Sequence, residues 1–104
     1  MAGSIKIRAK KDGDTTTVKA LIKHPMETGL RKDKKTGKKI PAHFIQEVNC
    51  EHGGEQVMNA LWGIAISKNP YISFQFDGAK KGDTVKLSWV DNTGESDSIE
   101  TEIR

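Results

Sequence analysis

The sequence predicts an all-β protein, an immunoglobulin-like antiparallel β-sandwich of about seven strands. Isoleucine and valine together outnumber leucine by 15 to 4, and β-branched side chains suit a pleated sheet better than a helix. Apolar and polar residues alternate repeatedly with a period of two, which places one set in a core and the other in water. Turn-forming residues separate these runs, as is typical of a sandwich or a barrel.

The first three strands follow from short alternating runs. In the first, over residues 4–9, isoleucines alternate with basic residues. In the second, over residues 15–24, Val18, Ala20 and Ile22 alternate with lysines, and only Leu21 breaks the pattern. In the third, over residues 42–50, Phe44, Val48 and Cys50 share a parity, which predicts that Cys50 is a small buried residue rather than a reactive thiolate.

Four further strands lie between turn signals, at residues 55–62, 71–77, 84–91 and 96–103. The fourth strand runs into Leu61–Ile66, which is apolar on both parities. Such a segment is either buried on both faces or an exposed apolar edge that binds a partner. Because the core of so short a chain is small, we favour the partner surface.

The chain is the length of one domain, residues 1–104, and several protein classes fall away. Its longest apolar run, residues 60–66, is far shorter than the roughly 20 residues of a membrane-spanning helix. A single cysteine excludes an internal disulfide framework. The first residues contain no apolar segment typical of a signal peptide, so these features alone predict a cytoplasmic protein.

One connection, residues 25–41, is longer than the roughly 12–15 residues expected of a structureless loop. It holds six Lys or Arg residues against two acidic ones, while the rest of the chain is nearly neutral. A solvated, mobile loop that merely carries charge is the first interpretation, and a steering surface for an anionic protein or ligand is the second. Nucleic acid is the weakest, because lysine dominates over arginine and residues 29–39 contain no aromatic residue.

Catalytic and metal-binding patterns are weak in this sequence. Cys50 and His52 are too close for the usual ligand spacing, and His24 and His43 could meet only in the folded protein. No nucleophile elbow and no glycine-rich phosphate loop occurs. The residues therefore predict no enzyme, no catalytic residue, no metal and no cofactor.

The residues around the long connection resemble the SoxZ family, which forms one subunit of the SoxYZ sulfur carrier of bacterial thiosulfate oxidation. The similar runs are His24-Pro25-Met26-Glu27-Thr28-Gly29-Leu30-Arg31-Lys32-Asp33, Ile40-Pro41-Ala42-His43-Phe44-Ile45, Ser67-Lys68-Asn69-Pro70-Tyr71 and Trp89-Val90-Asp91-Asn92. They occur in the family's order, and the resemblance covers essentially the whole chain.

The resemblance implies a non-catalytic, immunoglobulin-like subunit that pairs with SoxY, whose C-terminal cysteine arm carries the sulfur substrate. Pathway enzymes then act in turn on the carrier-bound sulfur, with no nucleic acid or membrane involved. The last residues here, Ile99–Arg104, contain no such arm. The resemblance also implies a periplasmic protein that is exported with its signal-bearing partner, so the lack of an evident signal is compatible with that compartment.

Loops held by a rigid sandwich commonly carry recognition, so we expect the partner interface near the long connection. The interface candidates are His24, Met26, Glu27, Gly29, Arg31, Asp33, Pro41, His43, Phe44, Trp62, Asn69 and Tyr71. The candidates for electrostatic steering are Lys32, Lys34, Lys35, Lys38 and Lys39.

Three alternatives remain open. In the first, the connection simply folds back onto its own sandwich, with His24 and His43 bonded to loop backbone. In the second, the chain is a small-molecule or metal-dependent enzyme domain that uses those histidines with an acid such as Glu27 or Asp33. In the third, it is a stand-alone sandwich that binds an anionic partner or nucleic acid through its basic loop.

Overall fold

A computed structural model describes residues 3–104 and confirms the predicted fold. The seven strands are β1 (Ile5–Asp12), β2 (Thr15–Ile22), β3 (Ile45–His52), β4 (Glu55–Leu61), β5 (Tyr71–Asp77), β6 (Thr84–Asp91) and β7 (Ser96–Glu102). The predicted bounds of β5 and β6 agree with the structure, whereas β1 continues three residues further and β3 begins three residues later. Within the described residues there is no helix, and therefore none long and apolar enough to cross a membrane.

The strands form two antiparallel sheets. One has the order β1-β2-β5 and the other the order β4-β3-β6-β7. The chain changes sheet after β2, and this crossover is made by the long basic connection. Because β2 ends and β3 begins at the same end of the sandwich as the C-terminus of β6, residues distant in sequence meet there.

The core lies between the sheets and is built from the alternating residues of the central strands. Val18, Ile22, Ile45, Val48 and Leu87 are completely buried. Cys50 belongs to the same cluster, which confirms its assignment as a buried residue. Its burial raises the pKa of the thiol to about 11, so little reactive thiolate forms at neutral pH.

The two lateral sides of the sandwich differ. On one side, the backbone of Arg104 accepts a hydrogen bond from Lys11 N–H (2.7 Å) and donates one to the carbonyl of Ala9 (3.1 Å). These bonds join the end of β1 to the segment that follows β7. On the other side, the edge strands β4 and β5 have no fully buried residue along their described length.

Candidate functional site

The basic connection is an arm with its own backbone pairing rather than a loop without structure. At its base, the backbones of Glu27 and His43 exchange hydrogen bonds of 2.7 and 2.9 Å. Nearer the tip, Ile40 N–H donates to the carbonyl of Arg31 (2.8 Å). The backbones of Lys32 and Lys39 form an antiparallel β-bridge there. The two sides of this arm, residues 25–44, are therefore hydrogen-bonded to each other, which differs from the expectation of a loop without structure.

A buried cluster of His24, His43 and Asp91 holds the base of the arm, and we call it the histidine clasp. The Nε2 atom of His24 lies 3.0 Å from Asp91 Oδ2, and the Nε2 atom of His43 lies 2.7 Å from the same oxygen. The side chains of His24 and Asp91 are fully buried, while that of His43 is 27% exposed. One carboxylate at the end of β6 thus fixes a residue on each side of the arm.

The hydrogen bonds of His24 define its tautomer. Its Nδ1 accepts the backbone N–H of Met26 (3.1 Å), so the ring proton is on Nε2 and is donated to Asp91. Met26 itself has a positive φ of 48° and is 5% exposed. The ring of His24 therefore shapes the first turn of the arm as well as anchoring it.

The second oxygen of Asp91 is fixed by the turn that follows β6. Its Oδ1 accepts the N–H and the hydroxyl of Thr93 (3.0 and 2.7 Å) and the N–H of Glu95 (3.0 Å). Burial alone would raise the pKa of Asp91, but the hydrogen bonds from His24, Thr93 and His43 together hold it well below its usual range. Asp91 is therefore ionised at neutral pH and is compensated on both oxygens.

Trp89 supports the clasp from within the core. Its ring is 2% exposed and meets the His24 ring edge-on at a centroid distance of 5.1 Å. The indole N–H donates to the hydroxyl of Ser4 (3.1 Å), which in turn donates to Asp97 (2.6 Å). The orientation of His24 thus depends on residues from β6, β7 and the segment before β1.

The clasp has the donor set of a metal site, but its hydrogen bonding does not fit one. The nearest ligand atoms of His24, His43 and Asp91 all lie within 4.8 Å of one another. A histidine that ligates a metal through one nitrogen normally donates a proton from the other. Here the other nitrogen of His24 accepts the Met26 N–H, so coordination through Nε2 would place two donors against each other.

The acids that the sequence suggested for such a site lie elsewhere. Glu27 is bound to Arg31, with 2.6 Å between Oε1 and Nη2, and that hydrogen bond lowers the pKa of Glu27. Asp33 accepts the backbone N–H of Lys35 in the tip of the arm. The acid that joins the two histidines is instead Asp91, which in the sequence was notable only as the end of a predicted strand and as part of the similar run Trp89-Val90-Asp91-Asn92.

The structure distributes the interface candidates between interior and surface. His24 and Met26 are buried and support the arm from inside, so they offer no side chain to a partner. Asn69 is on the surface, where its N–H and Oδ1 pair with the backbone of His24 at 3.0 Å each. Gly29, with a φ of +85°, packs against Ala42, leaving no room for a β-carbon without a shift.

The remaining candidates face solvent to different degrees. Tyr71 is 61% exposed, and Phe44 and Trp62 are half-buried at the rim of the core. The other exposed ones are Arg31, Asp33, Pro41 and the five steering candidates Lys32, Lys34, Lys35, Lys38 and Lys39. The arm therefore presents a basic surface, and the clasp anchors the base of the arm.

Fold and site together define a small immunoglobulin-like β-sandwich domain with a buried clasp that anchors a basic arm. Residues 5–102 match the model of one family, sulphur oxidation protein SoxZ. The chain belongs to the SoxZ family. No curated protein sequence matches it.

Solved structures similar to the chain share its fold at low sequence identity. A hypothetical protein from Pyrococcus horikoshii is 18% identical with a TM-score of 0.70, and the match covers 100% of this chain and 95% of that one. A superoxide reductase from Nanoarchaeum equitans is 16% identical with a TM-score of 0.66, covering 95% and 90% of the two chains. A superoxide reductase from Archaeoglobus fulgidus is 17% identical with a TM-score of 0.61, covering 94% and 83%. These likenesses concern the fold alone.

Proposed function

We propose that this chain is the non-catalytic subunit of a heterodimeric sulfur carrier in thiosulfate oxidation. It pairs with a SoxY-type subunit whose cysteine arm carries the substrate, and the complex works in the periplasm after joint export. The membership of residues 5–102 in the SoxZ family carries this proposal. The burial of Cys50 supports it, because the one cysteine of this chain is unsuited to carry a substrate.

The direct test is the mass of the chain by light scattering, alone and after co-expression with the SoxY-type subunit of the same organism. We expect a stable 1:1 complex with a higher melting temperature, because a partner that binds only the folded form stabilises it. At a partner concentration of about 100 times Kd, the stabilisation is about 2.7 kcal/mol. A chain that remains monomeric, with the same melting temperature beside its partner, contradicts the proposal.

The exposed lysines of the arm add a role in association. Six Lys or Arg residues lie in the arm segment 25–41, against Glu27 and Asp33. Clustered charge of one sign accelerates the approach of oppositely charged partners. We propose that the arm attracts the anionic sulfur adducts or the acidic surfaces of the pathway enzymes.

A triple charge reversal tests this role: Lys34→Glu, Lys35→Glu and Lys38→Glu. At low salt, we expect association of the carrier with a pathway enzyme to slow by about tenfold and its salt dependence to flatten. The matched control reverses Lys6, Lys10 and Lys19 on the outer face of β1 and β2, which changes net charge equally. An unchanged rate in the arm variant, or equal slowing in the control, argues against steering by the arm.

A further inference from the structure

The open side of the sandwich, where β4 and β5 are the edge strands, has core residues that the fold itself does not cover. The inward-facing residues of β5 are only half-buried, whereas those of β2, its neighbour in the sheet, are buried. The partly covered apolar residues on this side are Val57, Met58, Ala60, Trp62, Ile66, Ile72, Phe74 and Phe76. Leu61 and Ile64 are 78% and 48% exposed beside them.

The outer edge of β4 offers a ladder of backbone groups. Trp62 N–H donates to the carbonyl of Gln46 (2.8 Å), and antiparallel pairing then directs the backbone groups of Ala60 towards β3. By the same alternation, the N–H and C=O groups of Asn59 and Leu61 point away from the sheet. No hydrogen bond from the described turns and loops reaches them.

Charged residues along β1 and β7 disfavour pairing with another chain on that side of the sandwich, whereas β4 and β5 lack such residues along most of their length. Edge strands commonly avoid pairing with other chains by carrying charged residues, especially lysine. β1 holds four Lys or Arg residues and β7 holds three acidic ones. In β4 and β5 the charged residues are terminal: Glu55 begins β4 and Asp77 ends β5.

Those two acidic residues lie at the same end of the open side. His52 pairs with Glu55 in the ladder, and its ring lies 5.4 Å from that of Phe76, the neighbour of Asp77. The other end of this side carries the basic residue Lys68 in the connection between β4 and β5. A partner segment that binds along this side is therefore favoured if it carries a basic group at the end near Glu55 and Asp77.

We propose that the outer edge of β4 accepts an extended strand of the carrier subunit. That strand has apolar side chains at alternate positions and a basic side chain at the end that meets Glu55 and Asp77. It extends the four-stranded sheet through Asn59 and Leu61 and covers the exposed core residues. This inference rests on the proposed pairing with a SoxY-type subunit and names the surface that the pairing uses.

The test compares two proline variants in the complex with the SoxY-type subunit. Leu61→Pro removes an outward N–H from the β4 edge, and Ser73→Pro removes the equivalent outward N–H from β5 as a matched control. We expect Leu61→Pro to raise Kd by about tenfold or more, because it removes a hydrogen bond and prevents close pairing, while Ser73→Pro stays within about twofold. Hydrogen exchange at Asn59 and Leu61 should slow when the complex forms.

Leu61→Lys leaves the backbone N–H in place and replaces Leu61→Pro in the test if the proline variant does not fold. We expect it to weaken binding as well. A complex with unchanged Kd in both Leu61 variants and no slowing of exchange in β4 overturns the inference but leaves the proposed function standing. No complex of the wild-type chain overturns both. Self-association that Leu61→Pro abolishes would identify a second copy of this chain as the occupant and also overturn the inference.

Discussion

Replacing Asp91 with alanine is expected to lower the free energy of unfolding by about 2–5 kcal/mol, because each buried donor left without an acceptor costs about 1–3 kcal/mol. The substitution leaves the Nε2 proton of His24 buried without an acceptor, since the side chain of His24 is fully buried. It also removes the acceptor for His43, Thr93 and Glu95. Urea denaturation of both proteins measures the difference.

Asp77→Ala is the matched control. Asp77 ends β5, is exposed, and accepts one hydrogen bond from the Thr15 hydroxyl at 3.1 Å. Removing it should change the free energy of unfolding by about 0.5 kcal/mol or less. If the two alanine variants lose the same stability, the clasp does not anchor the arm.

The clasp also predicts how stability depends on pH. The pKa of Asp91 is lower in the folded protein than its ordinary value of 3.8. Its contribution is therefore complete above about pH 4 and is lost as the pH falls below that value towards the folded pKa. Asp83 and Asp97 have lowered pKa values too, so Asp91→Asn should flatten the acid branch of the stability profile without abolishing it.

The strands were predictable because their information is local. Alternation and turn residues set β5 and β6 to their observed bounds, and the parity of Cys50 predicted its burial. The apolar segment after β4 could be read only as two alternatives. The structure combines them, because Leu61 is 78% exposed while Trp62 and Ile66 pack against the core.

The clasp was not predictable in the same way, because its partners are distant in sequence. Asp91 lies 67 residues from His24 and 48 from His43, and only the meeting of β6 with the base of the arm brings them together. The turn after β6 did contain a signal, since an aspartate that begins a turn often bonds the following backbone. That signal fixes one oxygen of Asp91 and says nothing about the other.

The pairing within the arm escaped prediction for a different reason. Lys32 and Lys39 face each other without the apolar alternation that identifies a strand. Backbone hydrogen bonds and a left-handed Gly37, with a φ of 70°, hold this tip together. A glycine four residues after Asp33 was visible in the sequence, but a basic composition led to the interpretation as a solvated loop.

Trp89→Ala is expected to cost about 3–5 kcal/mol of unfolding free energy, as is usual when a large buried aromatic side chain is removed. The ring is 2% exposed and is hydrogen-bonded to Ser4. Trp89→Phe keeps most of the volume and should cost less. Trp62→Ala, at the half-buried rim, is the control and should cost less than Trp89→Ala in the isolated chain. Equal losses at the two tryptophans contradict the assignment of Trp89 to the support of the clasp.

Trp89 and Asp91 act on the same ring, so their substitutions should not be additive. The indole packs edge-on against His24 at 5.1 Å, and Asp91 binds the Nε2 of that ring at 3.0 Å. Once either contact is lost, His24 is less well held and the other contact contributes less. A double-mutant cycle with Trp89→Phe and Asp91→Asn should therefore give a coupling of about 0.5–3 kcal/mol. Strict additivity would mean that Trp89 fills volume only, and that Asp91 alone positions the histidine at the base of the arm.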